Sequence, residues 1–381
     1  MHLVCFETIT QEGQFKMINS AVIKYKPYGK DTTCTVEIAK ASQLEFEFGH
    51  ELSGRCLVVY DKNIEWFIPT VCEILTFKGF EPTTFGLDIK LKDMDSALKI
   101  CNKLIECQPG FSVAIGGGTT CDLTGFASSI YHRGIPVIYF PTTLLAMADV
   151  CVSGKTGIDY GNIKNSLGTI HFPLLSICVI DTLQTLNEGE FRSGLSEIVK
   201  VAVTSDKIFF HQLETVSEKI NNSFDGMYSI IESSCHLKAR LVESVPTVRL
   251  HSLYGHVIGQ ALESLGIGRY RHGDCVSIGL NAEGYIAWKL GLWGKDNWIR
   301  QRNLLEALSL PLTIPRDIKI NEIVRHIRND KLSTQSHANL ILPIGIGEMY
   351  SQSGDPRVKI PYDLIFEYLR EFEEISSKGY I

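Results

Sequence analysis

Four short apolar runs between residues 55 and 181 constrain the fold of this chain more than any other feature. The runs are CLVVYD, FSVAIGGG, IPVIYFP and LSICVID. Each is rich in β-branched or aromatic residues and ends at a turn signal, which is typical of buried strands. Helical stretches lie between them. Because strands that alternate with helices form parallel sheets covered by helices, the pattern predicts an α/β domain.

The pattern changes after about Asp181. Long amphipathic segments such as EFRSGLSEIVKVAVTS and DGMYSIIESSCHLKARLVES dominate, and strand-like runs become rare. A chain of 381 residues is long for one compact core, so two domains are expected. We predict an N-terminal extension over residues 1–35, an α/β domain over 36–186 and a mostly helical domain over 187–381. A cleft between two such domains is a common place for an active site.

Charge and cysteine content exclude some classes of function. The net charge of -6 argues against a general nucleic-acid binder but leaves room for a local basic pocket. No apolar run is long enough to span a bilayer, and the start, MHLVCFETITQEGQFK, lacks a secretory pattern. The eleven cysteines form no CxxC pair, which indicates reduced thiols and gives a zinc-thiolate site no support. We therefore expect a cytoplasmic protein.

A glycine-rich turn follows the second predicted strand. Gly116, Gly117 and Gly118 separate the strand at 112–115 from a helical stretch at 119–129. Glycines allow close approach of a pyrophosphate, and the following helix offers free N–H groups to it. The turn differs from the GxGxxG of dinucleotide-binding folds, so a tight turn without a ligand stays open.

Three metal-ligand candidates lie in the helical half. Glu197 and His256 fall in predicted helices, and His272 follows in a loop. One carboxylate and two imidazoles are a common ligand set of catalytic zinc and leave a position open for substrate. A structural histidine or a solvated glutamate is the alternative for each residue alone.

Six basic residues lie in or beside apolar segments and not in charge runs. They are Arg133, Lys155, Lys164, Lys200, Lys238 and Arg249. A cation in apolar surroundings needs a partner, which an anionic substrate or a structural ion pair can provide. Lys200 lies three residues after Glu197, so both occupy one helix face.

Several blocks, in order, resemble the dehydroquinate synthase superfamily of sugar-phosphate cyclases. They are GGGTTCDLTGFASSIYHRG, PTTLLAMADVCVSGKTGI, KNSLGTIHFP, GLSEIVK, YGHVIGQALE and HGD, with DKL and LILPIGIG later. The match extends from about residue 55 to about residue 347. It implies a Rossmann-like parallel-sheet domain that binds NAD, a mostly helical domain that binds a divalent metal, and a homodimer. Zinc is the expected metal and cobalt the alternative.

The resemblance also assigns roles to matching positions. For NAD they are Asp61, Lys90, Gly116, Gly117, Gly118, Asp122, Thr142, Thr143, Lys164, Asp181, Thr182 and Thr185. For the metal they are Glu197, His256 and His272. For catalysis they are Asp149, Lys155, Lys200, Lys238 and Arg249, and for substrate binding Arg133, Asn165, Gln260 and Lys331. Arg133 matches an arginine that reaches the neighbouring subunit's site.

The family chemistry explains this set of residues. A ring hydroxyl is oxidised by NAD while the metal polarises its oxygen. The new ketone acidifies the adjacent C–H, and phosphate leaves by elimination. NADH returns the hydride, and the ring opens and recloses through carbon. NAD is therefore regenerated in each cycle. The implied partner is a small phosphorylated sugar, with no nucleic acid and no membrane.

Three positions depart from ordinary dehydroquinate synthases. Gln260 replaces a histidine one turn after His256, and glutamine cannot shuttle a proton near neutral pH. Leu253 replaces an asparagine, and Leu332 replaces the second lysine of a DKK motif. YGNIKNSLGTIHFP and HGDCVSIGLNAEGYIAWKLG are more similar to the sedoheptulose 7-phosphate cyclases that make valiolone- or gadusol-type cyclitols.

We therefore expect a C7 keto-sugar phosphate as substrate, with sedoheptulose 7-phosphate first. Lys238 and Arg249 would also suit a carboxylate, so 3-dehydroquinate synthase acting on 3-deoxy-arabino-heptulosonate 7-phosphate is the alternative. A metal-dependent polyol dehydrogenase shares the two-domain plan, but SGKTGI and YHRG supply phosphate contacts that a simple alcohol does not need. A binding protein that has lost catalysis is the third hypothesis. The presence of all three metal-ligand positions argues against it.

Overall fold

The computed structural model describes residues 20–41, 44, 52, 54–88, 92–161, 163–220, 226–330 and 332–378. Its main sheet has seven strands in the order β1-β2-β9-β6-β5-β3-β4. The strands are β1 (Ser20–Tyr25), β2 (Cys34–Ala39), β3 (Arg55–Asp61), β4 (Glu81–Leu87), β5 (Phe111–Gly116), β6 (Val137–Pro141) and β9 (Leu175–Val179). All pairs from β2 to β4 are parallel, and β1 pairs antiparallel at the edge. The predicted parallel-sheet domain is confirmed.

Helices cover both faces of this sheet because successive strand residues point to opposite sides. On one face, α1 (Ile68–Phe77) packs Val71 and Leu75 against Val58 of β3. On the other face, α2 (Met94–Cys107) and α3 (Gly118–Ile130) pack against Leu57 and Val59. The alternation along β3 thus divides the sheet core into two layers.

The described part of the predicted N-terminal extension belongs to the sheet. β1 lies wholly within residues 1–35, and β2 begins at Cys34, which lies inside the same range. Thr35 of β2 pairs with Leu175 of β9, far along the chain. Residues 20–35 therefore belong to the sheet and not to an extension. They show little local periodicity because β1 depends on β2, and β2 depends on a strand far along the chain. Residues 1–19 lie outside the described residues.

The C-terminal half is mostly helical, as predicted. Its helices are α5 (Glu188–Ser205), α6 (Lys207–Ile220), α7 (Met227–Glu243), α8 (Pro246–Arg249), α9 (His256–Gly266), α10 (His272–Lys289), α11 (Lys295–Ala307), α12 (Ile320–Arg328) and α13 (Tyr362–Lys378). Two small antiparallel pairs accompany them, β10 (His337–Ile341) with β13 (Arg357–Pro361) and β11 (Pro343–Gly345) with β12 (Glu348–Met349). Across the described ranges, no helix combines the length and apolar character needed to cross a bilayer.

Between β6 and β9 the chain leaves the main sheet. A π-helical turn (Ala146–Val150), the single turn α4 (Cys151–Ser153) and a hairpin of β7 (Lys155–Tyr160) and β8 (Ile163–Ile170) follow β6. One large apolar cluster includes Val36 of β2, Met147 of the π-helical turn, Val199 of α5 and Ile231 of α7. The sheet and the helices therefore share a continuous core, and the site residues approach one another across it.

Close packing of α9 on α10 sets the geometry of the site. A Cβ on Gly279 of α10 would lie 2.0 Å from the Gly255 carbonyl oxygen, and one on Gly259 of α9 would lie 3.0 Å from the Cys275 carbonyl oxygen. Only glycine permits such backbone contact. As a result, the first turns of α9 and α10 lie side by side.

Candidate metal and substrate site

The three metal-ligand candidates meet at the start of α9 and α10. His256 is the first residue of α9, His272 is the first residue of α10, and Glu197 lies in the middle of α5. The Nε2 atoms of His256 and His272 lie 3.5 Å and 3.4 Å from Glu197 Oε1. The potential ligand atoms all lie within 4.8 Å of one another. Residues far apart in sequence are thus gathered as a metal site requires.

Both histidine rings are oriented by a hydrogen bond through Nδ1. His272 Nδ1 donates to Glu263 Oε2 at 2.9 Å, and His256 Nδ1 donates to the Tyr254 carbonyl at 3.3 Å. A proton fixed on Nδ1 leaves the Nε2 lone pair free, which is the usual arrangement around a metal-bound imidazole. Glu263 was not predicted, although its position seven residues after His256 puts both on one face of α9.

The charges around Glu197 are concentrated and buried. Lys200, one turn later on α5, contacts Glu197 Oε2. Burial raises the pKa of the Glu197 carboxyl, but Lys200 and the two histidines outweigh it and hold the pKa well below its usual value. Burial and then Lys200 lower the pKa of His256 to about 3. The ionised carboxylate and neutral His256 imidazole are the forms in which these groups bind metals.

This donor set fits a divalent metal such as zinc. Within the described residues, the buried oxygens of Glu197 face the nitrogens of Lys200, His256 and His272. Burial lowers the pKa of His272, but hydrogen bonds to Glu197 and Glu263 outweigh it and raise the pKa to about 10. A proton on His272 thus occupies the place where a cation would bind the same carboxylate. One carboxylate oxygen and two imidazole nitrogens match a catalytic zinc site.

A second ion pair lies next to this cluster, in which Lys238 is buried and the Asp149 side chain is 28% exposed. Lys238 of α7 contacts Asp149 of the π-helical turn. Burial raises the pKa of Asp149, but Lys238 and then Lys200 outweigh it and lower the pKa to about 2. Burial lowers the pKa of Lys238, but Asp149 and Glu197 outweigh it and raise the pKa. Three predicted catalytic residues, Asp149, Lys200 and Lys238, are therefore electrostatically coupled to Glu197.

The β7–β8 hairpin carries the predicted phosphate-end residues. Lys155 begins β7 and is exposed, as are Lys164 and Asn165 on β8. Lys164 Nζ lies 3.2 Å from Asp159 Oδ2 and 3.8 Å from Glu263 Oε1. Asn165 adopts a positive φ of 49°, and its N–H donates to Asp159 Oδ1 at 2.8 Å. Lys164 therefore links the hairpin to Glu263, the residue that orients His272.

The glycine turn lies at the carboxyl ends of β3, β5 and β6. Thr142 N–H donates to the Gly116 carbonyl at 2.9 Å. A Cβ on Gly117 would lie 2.9 Å from Thr143 Cγ2, and one on Gly116 would lie 3.2 Å from Asp61 Cβ. These five predicted nucleotide residues therefore form one group at the edge of the sheet where ligands of α/β proteins bind.

The helix after this turn begins at Gly118 and has no side-chain cap. Its first N–H groups are therefore available to an anion such as a pyrophosphate. Asp122, in the second turn of α3, contacts Lys92 Nζ. Lys92 was not predicted, because no local sequence signal connects it with Asp122, 30 residues later in the chain. The predicted Lys90 lies outside the described residues.

Other predicted residues lie farther from these clusters. Asp181, Thr182 and Thr185 lie in the 3-10 helix Ile180–Thr185 after β9. Asp181 Oδ2 accepts from Ala41 N–H at 2.6 Å, and the two threonine hydroxyls donate to backbone carbonyls within three residues. Arg133 is exposed in a turn after α3 with a φ of 67°. Within the described part of the chain, Arg133 forms no ion pair with the metal-ligand candidates.

The departures from the ordinary pattern lie near the helix ends. Gln260 is half-buried one turn after His256, and Leu253 and Leu332 pack against the large apolar cluster. Lys331 lies outside the described residues. Arg249 is turned toward the N-terminal strands, where Nε donates to the Ser244 carbonyl at 3.0 Å and Nη2 to the Tyr28 carbonyl at 3.3 Å. Its guanidinium also lies 5.6 Å from the centre of the Tyr28 ring.

Comparisons with known proteins identify the family of the chain. Family models described as 3-dehydroquinate synthase N-terminal and C-terminal match residues 87–193 and 194–333. A 3-dehydroquinate synthase from Thermodesulfovibrio yellowstonii is 37% identical over 312 residues, which are 78% of this chain and 87% of the relative.

Two solved structures share the fold. The 2-epi-5-epi-valiolone synthase of Streptomyces hygroscopicus subsp. jinggangensis, with NAD+ and Zn2+ bound, has a TM-score of 0.80 at 22% identity, covering 91% of this chain and 98% of its own. A 2-deoxy-scyllo-inosose synthase with carbaglucose-6-phosphate, NAD+ and Co2+ has a TM-score of 0.82 at 20% identity, covering 92% of this chain and 100% of its own.

Proposed function

The chain belongs to the 3-dehydroquinate synthase family of sugar-phosphate cyclases, and on this premise we propose that it converts a C7 keto-sugar phosphate to a carbocycle with loss of phosphate. The observation that carries the proposal is that Glu197, His256 and His272 come together beside the buried Lys200. A metal-ligand set next to a buried cation suits a substrate that carries both hydroxyl and anionic groups.

The cofactors we propose are NAD and a divalent metal, zinc or cobalt. Two proteins of the same fold bind NAD+ with Zn2+ or Co2+. NAD would lie at the glycine turn in residues 36–186, held by the uncapped N-terminus of α3 and by Asp61, Asp122, Thr142 and Thr143. When bound, NAD supplies reversible hydride transfer, and the metal, held by Glu197, His256 and His272, supplies Lewis acidity.

The side chains of the chain itself would bind and orient the substrate. Lys155 and Asn165 would hold the phosphate, since a lysine offers a compact positive charge and an amide offers two donors. The Asp149–Lys238 pair would hold ring hydroxyls, the carboxylate accepting and the ammonium donating. Glu263 and Tyr254 keep the histidine rings oriented while the substrate binds. The phosphate itself can take the proton in the elimination, so no additional base is required.

The position of Arg249 supports sedoheptulose 7-phosphate as the substrate. Nε and Nη2 form the side-on fork with which arginine grips a carboxylate, and here the two atoms donate to the Ser244 and Tyr28 carbonyls. A substrate with a carboxylate at C1 would have to displace both bonds. Sedoheptulose 7-phosphate has a neutral hydroxymethyl group at C1, so Arg249 can keep both hydrogen bonds when this substrate binds.

A second candidate is 3-dehydroquinate synthase itself, acting on 3-deoxy-arabino-heptulosonate 7-phosphate. It is favoured by the Thermodesulfovibrio yellowstonii relative, which carries that name at 37% identity. The experiment is a comparison of kcat/KM on the two phosphates, because specificity is the ratio of these values. A ratio that favours sedoheptulose 7-phosphate by about tenfold or more supports the first candidate, and the opposite ratio supports the second.

We also propose that the working enzyme is a homodimer. Ile130, Tyr160, Leu167 and Ile170, near Arg133 and on the β7–β8 hairpin, are exposed by 47%, 62%, 37% and 57%. The end of α3 lies beside β8, where the Thr169 hydroxyl donates to the Ser129 hydroxyl at 2.8 Å, and exposed apolar patches are typical of protein–protein contacts. A second subunit on this surface would bring a partner arginine toward the exposed phosphate end. Sedimentation equilibrium of the purified protein tests this, and a monomer at micromolar concentration would contradict it.

A further inference from the structure

Glu283 of α10 is a fully buried acidic residue that none of the proposed steps uses. Burial raises the pKa of its carboxyl to about 8, although hydrogen bonds from the backbone of Ile258 and Gly255 lower it. Its side chain points at the N-terminus of α9. Glu283 Oε2 accepts the N–H of Gly255 at 2.7 Å, and Oε1 accepts the N–H of Ile258 at 3.1 Å. Buried polar atoms need hydrogen-bond partners, and each oxygen of Glu283 accepts one from the backbone at the start of another helix.

Helix α9 has no N-cap of its own. The residue before it is Gly255, which has a φ of 77° and no side chain to accept a bond from the first turn. The first N–H groups of a helix need hydrogen-bond acceptors. Glu283 therefore acts as the cap of α9, although it lies on α10.

The Glu283 side chain also binds the peptide group that orients His256. The Tyr254–Gly255 peptide donates its N–H to Glu283 and accepts at its carbonyl from His256 Nδ1 at 3.3 Å. The Tyr254 side chain is held separately, since its hydroxyl contacts Gln301 Oε1 at 2.8 Å. Because a peptide is planar, fixing its N–H also fixes the direction of its carbonyl.

We propose that Glu283 is a positioning residue for the metal site, acting on His256 through this single peptide. It caps the helix that His256 begins, sets the Tyr254 carbonyl, and so keeps the His256 Nε2 lone pair directed at Glu197. The inference rests on the proposed function insofar as the three ligands hold a metal. It adds a residue from outside the ligand set that determines how tightly the metal binds.

The test measures Co2+ binding to the full-length, metal-free protein. Glu283→Gln keeps the size of the side chain but has one acceptor oxygen in place of two, and Glu283→Ala has none. Asn281→Ala is the matched control, because Asn281 is equally buried on α10 but donates to the Leu312 carbonyl and accepts from Trp298, away from α9. Affinity is measured by competition with a chelator, and ligand geometry by the visible Co2+ spectrum.

We expect Glu283→Gln to weaken Co2+ binding about tenfold or more, as loss of a supporting contact around metal ligands commonly does, and to change the Co2+ spectrum. Asn281→Ala should lower Tm but leave the affinity within about twofold. Wild-type affinity and spectrum in both Glu283 variants would overturn the inference, as would an equal loss in Asn281→Ala. No Co2+ or Zn2+ binding by the unmodified protein would overturn the proposed function as well, which distinguishes the two failures.

Discussion

The two ends of the proposed site differ in how completely one chain builds them. At the metal end, Glu197, Lys200 and Lys238 are nearly inaccessible and are paired with neighbours from α5, α9, α10 and the π-helical turn. At the phosphate end, Lys155 and Asn165 are exposed on a hairpin. Charges in a core must be satisfied by the fold itself. Substitution of an exposed side chain usually changes stability little. The first end therefore predicts effects on stability and metal content, and the second predicts effects on rate alone.

The largest effect should follow from removing a metal ligand. His256→Ala or His272→Ala leaves two of the three proposed ligands, so stoichiometric metal should be lost and turnover should fall by about 10³-fold or more. Elemental analysis of the purified proteins measures the first quantity. Full metal occupancy in both variants would show that the metal end has been assigned to the wrong residues.

Substitution at the phosphate end should change rate and not stability. Lys155→Ala removes an exposed cation, so kcat/KM should fall by about 10²-fold or more while Tm stays within a degree or so of the unsubstituted protein. Lys78→Ala, an exposed lysine at the end of α1, is the matched control and should change neither.

Mixed dimers sharpen this prediction. If Arg133 serves the partner's site, subunits carrying Arg133→Ala and subunits carrying Lys155→Ala should together form one intact site per mixed dimer. Activity should therefore return on mixing after reversible dissociation. Mixtures as inactive as the separate variants would mean that each chain builds its phosphate end alone.

Breaking the buried pair should destabilise the fold. Lys238→Ala leaves Asp149 without its closest cation, and removing one partner of a buried pair typically lowers the free energy of unfolding by about 3–5 kcal/mol. Urea denaturation measures the change. A decrease in the free energy of unfolding of less than about 1 kcal/mol would show that Lys238 contributes no more to stability than an exposed ion pair does.

The same pair predicts an acid-sensitive stability. The pKa of Asp149 is held at about 2, below its ordinary value of 3.8. The folded state thus binds this proton less readily than the unfolded state, so the contribution is present above pH 4 and is lost as pH falls toward 2. It amounts to about 2 kcal/mol. Asp149→Asn should remove this part of the pH dependence, and an unchanged acid-unfolding profile would contradict the assignment.

The smallest effect should be at Arg249. If its fork is committed to the Ser244 and Tyr28 carbonyls, Arg249→Ala should lower Tm by a few degrees and change kcat/KM on sedoheptulose 7-phosphate by less than about threefold. A collapse of activity on 3-deoxy-arabino-heptulosonate 7-phosphate in this variant would instead show that Arg249 binds a substrate carboxylate.

Much of this architecture was predictable from sequence because it depends on local pattern. The strand runs at 55–61, 111–116, 137–141 and 175–179 carry their own periodicity and turn signals. Glu197, His256 and His272 were chosen as residue types that bind zinc, and the family blocks fixed their order. Their convergence within 4.8 Å depends on how α5, α9 and α10 pack.

What sequence did not reveal depends on contacts between distant segments. Strand β1 was missed because its pairing requires β2, which in turn requires β9. Glu283 and Tyr28 are ordinary in their local sequence, and only the packing of α10 on α9 and of the N-terminal strands against the region around α8 gives them partners. Lys92 was missed because the start of α2, and not a charge pattern, places it beside Asp122.

The most direct test of the proposed activity is one time course with sedoheptulose 7-phosphate and the metal-loaded enzyme containing bound NAD. Phosphate release, product mass and absorbance of NADH are followed together. The cyclase cycle predicts one phosphate released for each carbocycle formed while NADH does not accumulate, because the hydride is returned in each cycle. NADH that accumulates in proportion to product, without phosphate release, would contradict the cyclase and indicate a dehydrogenase.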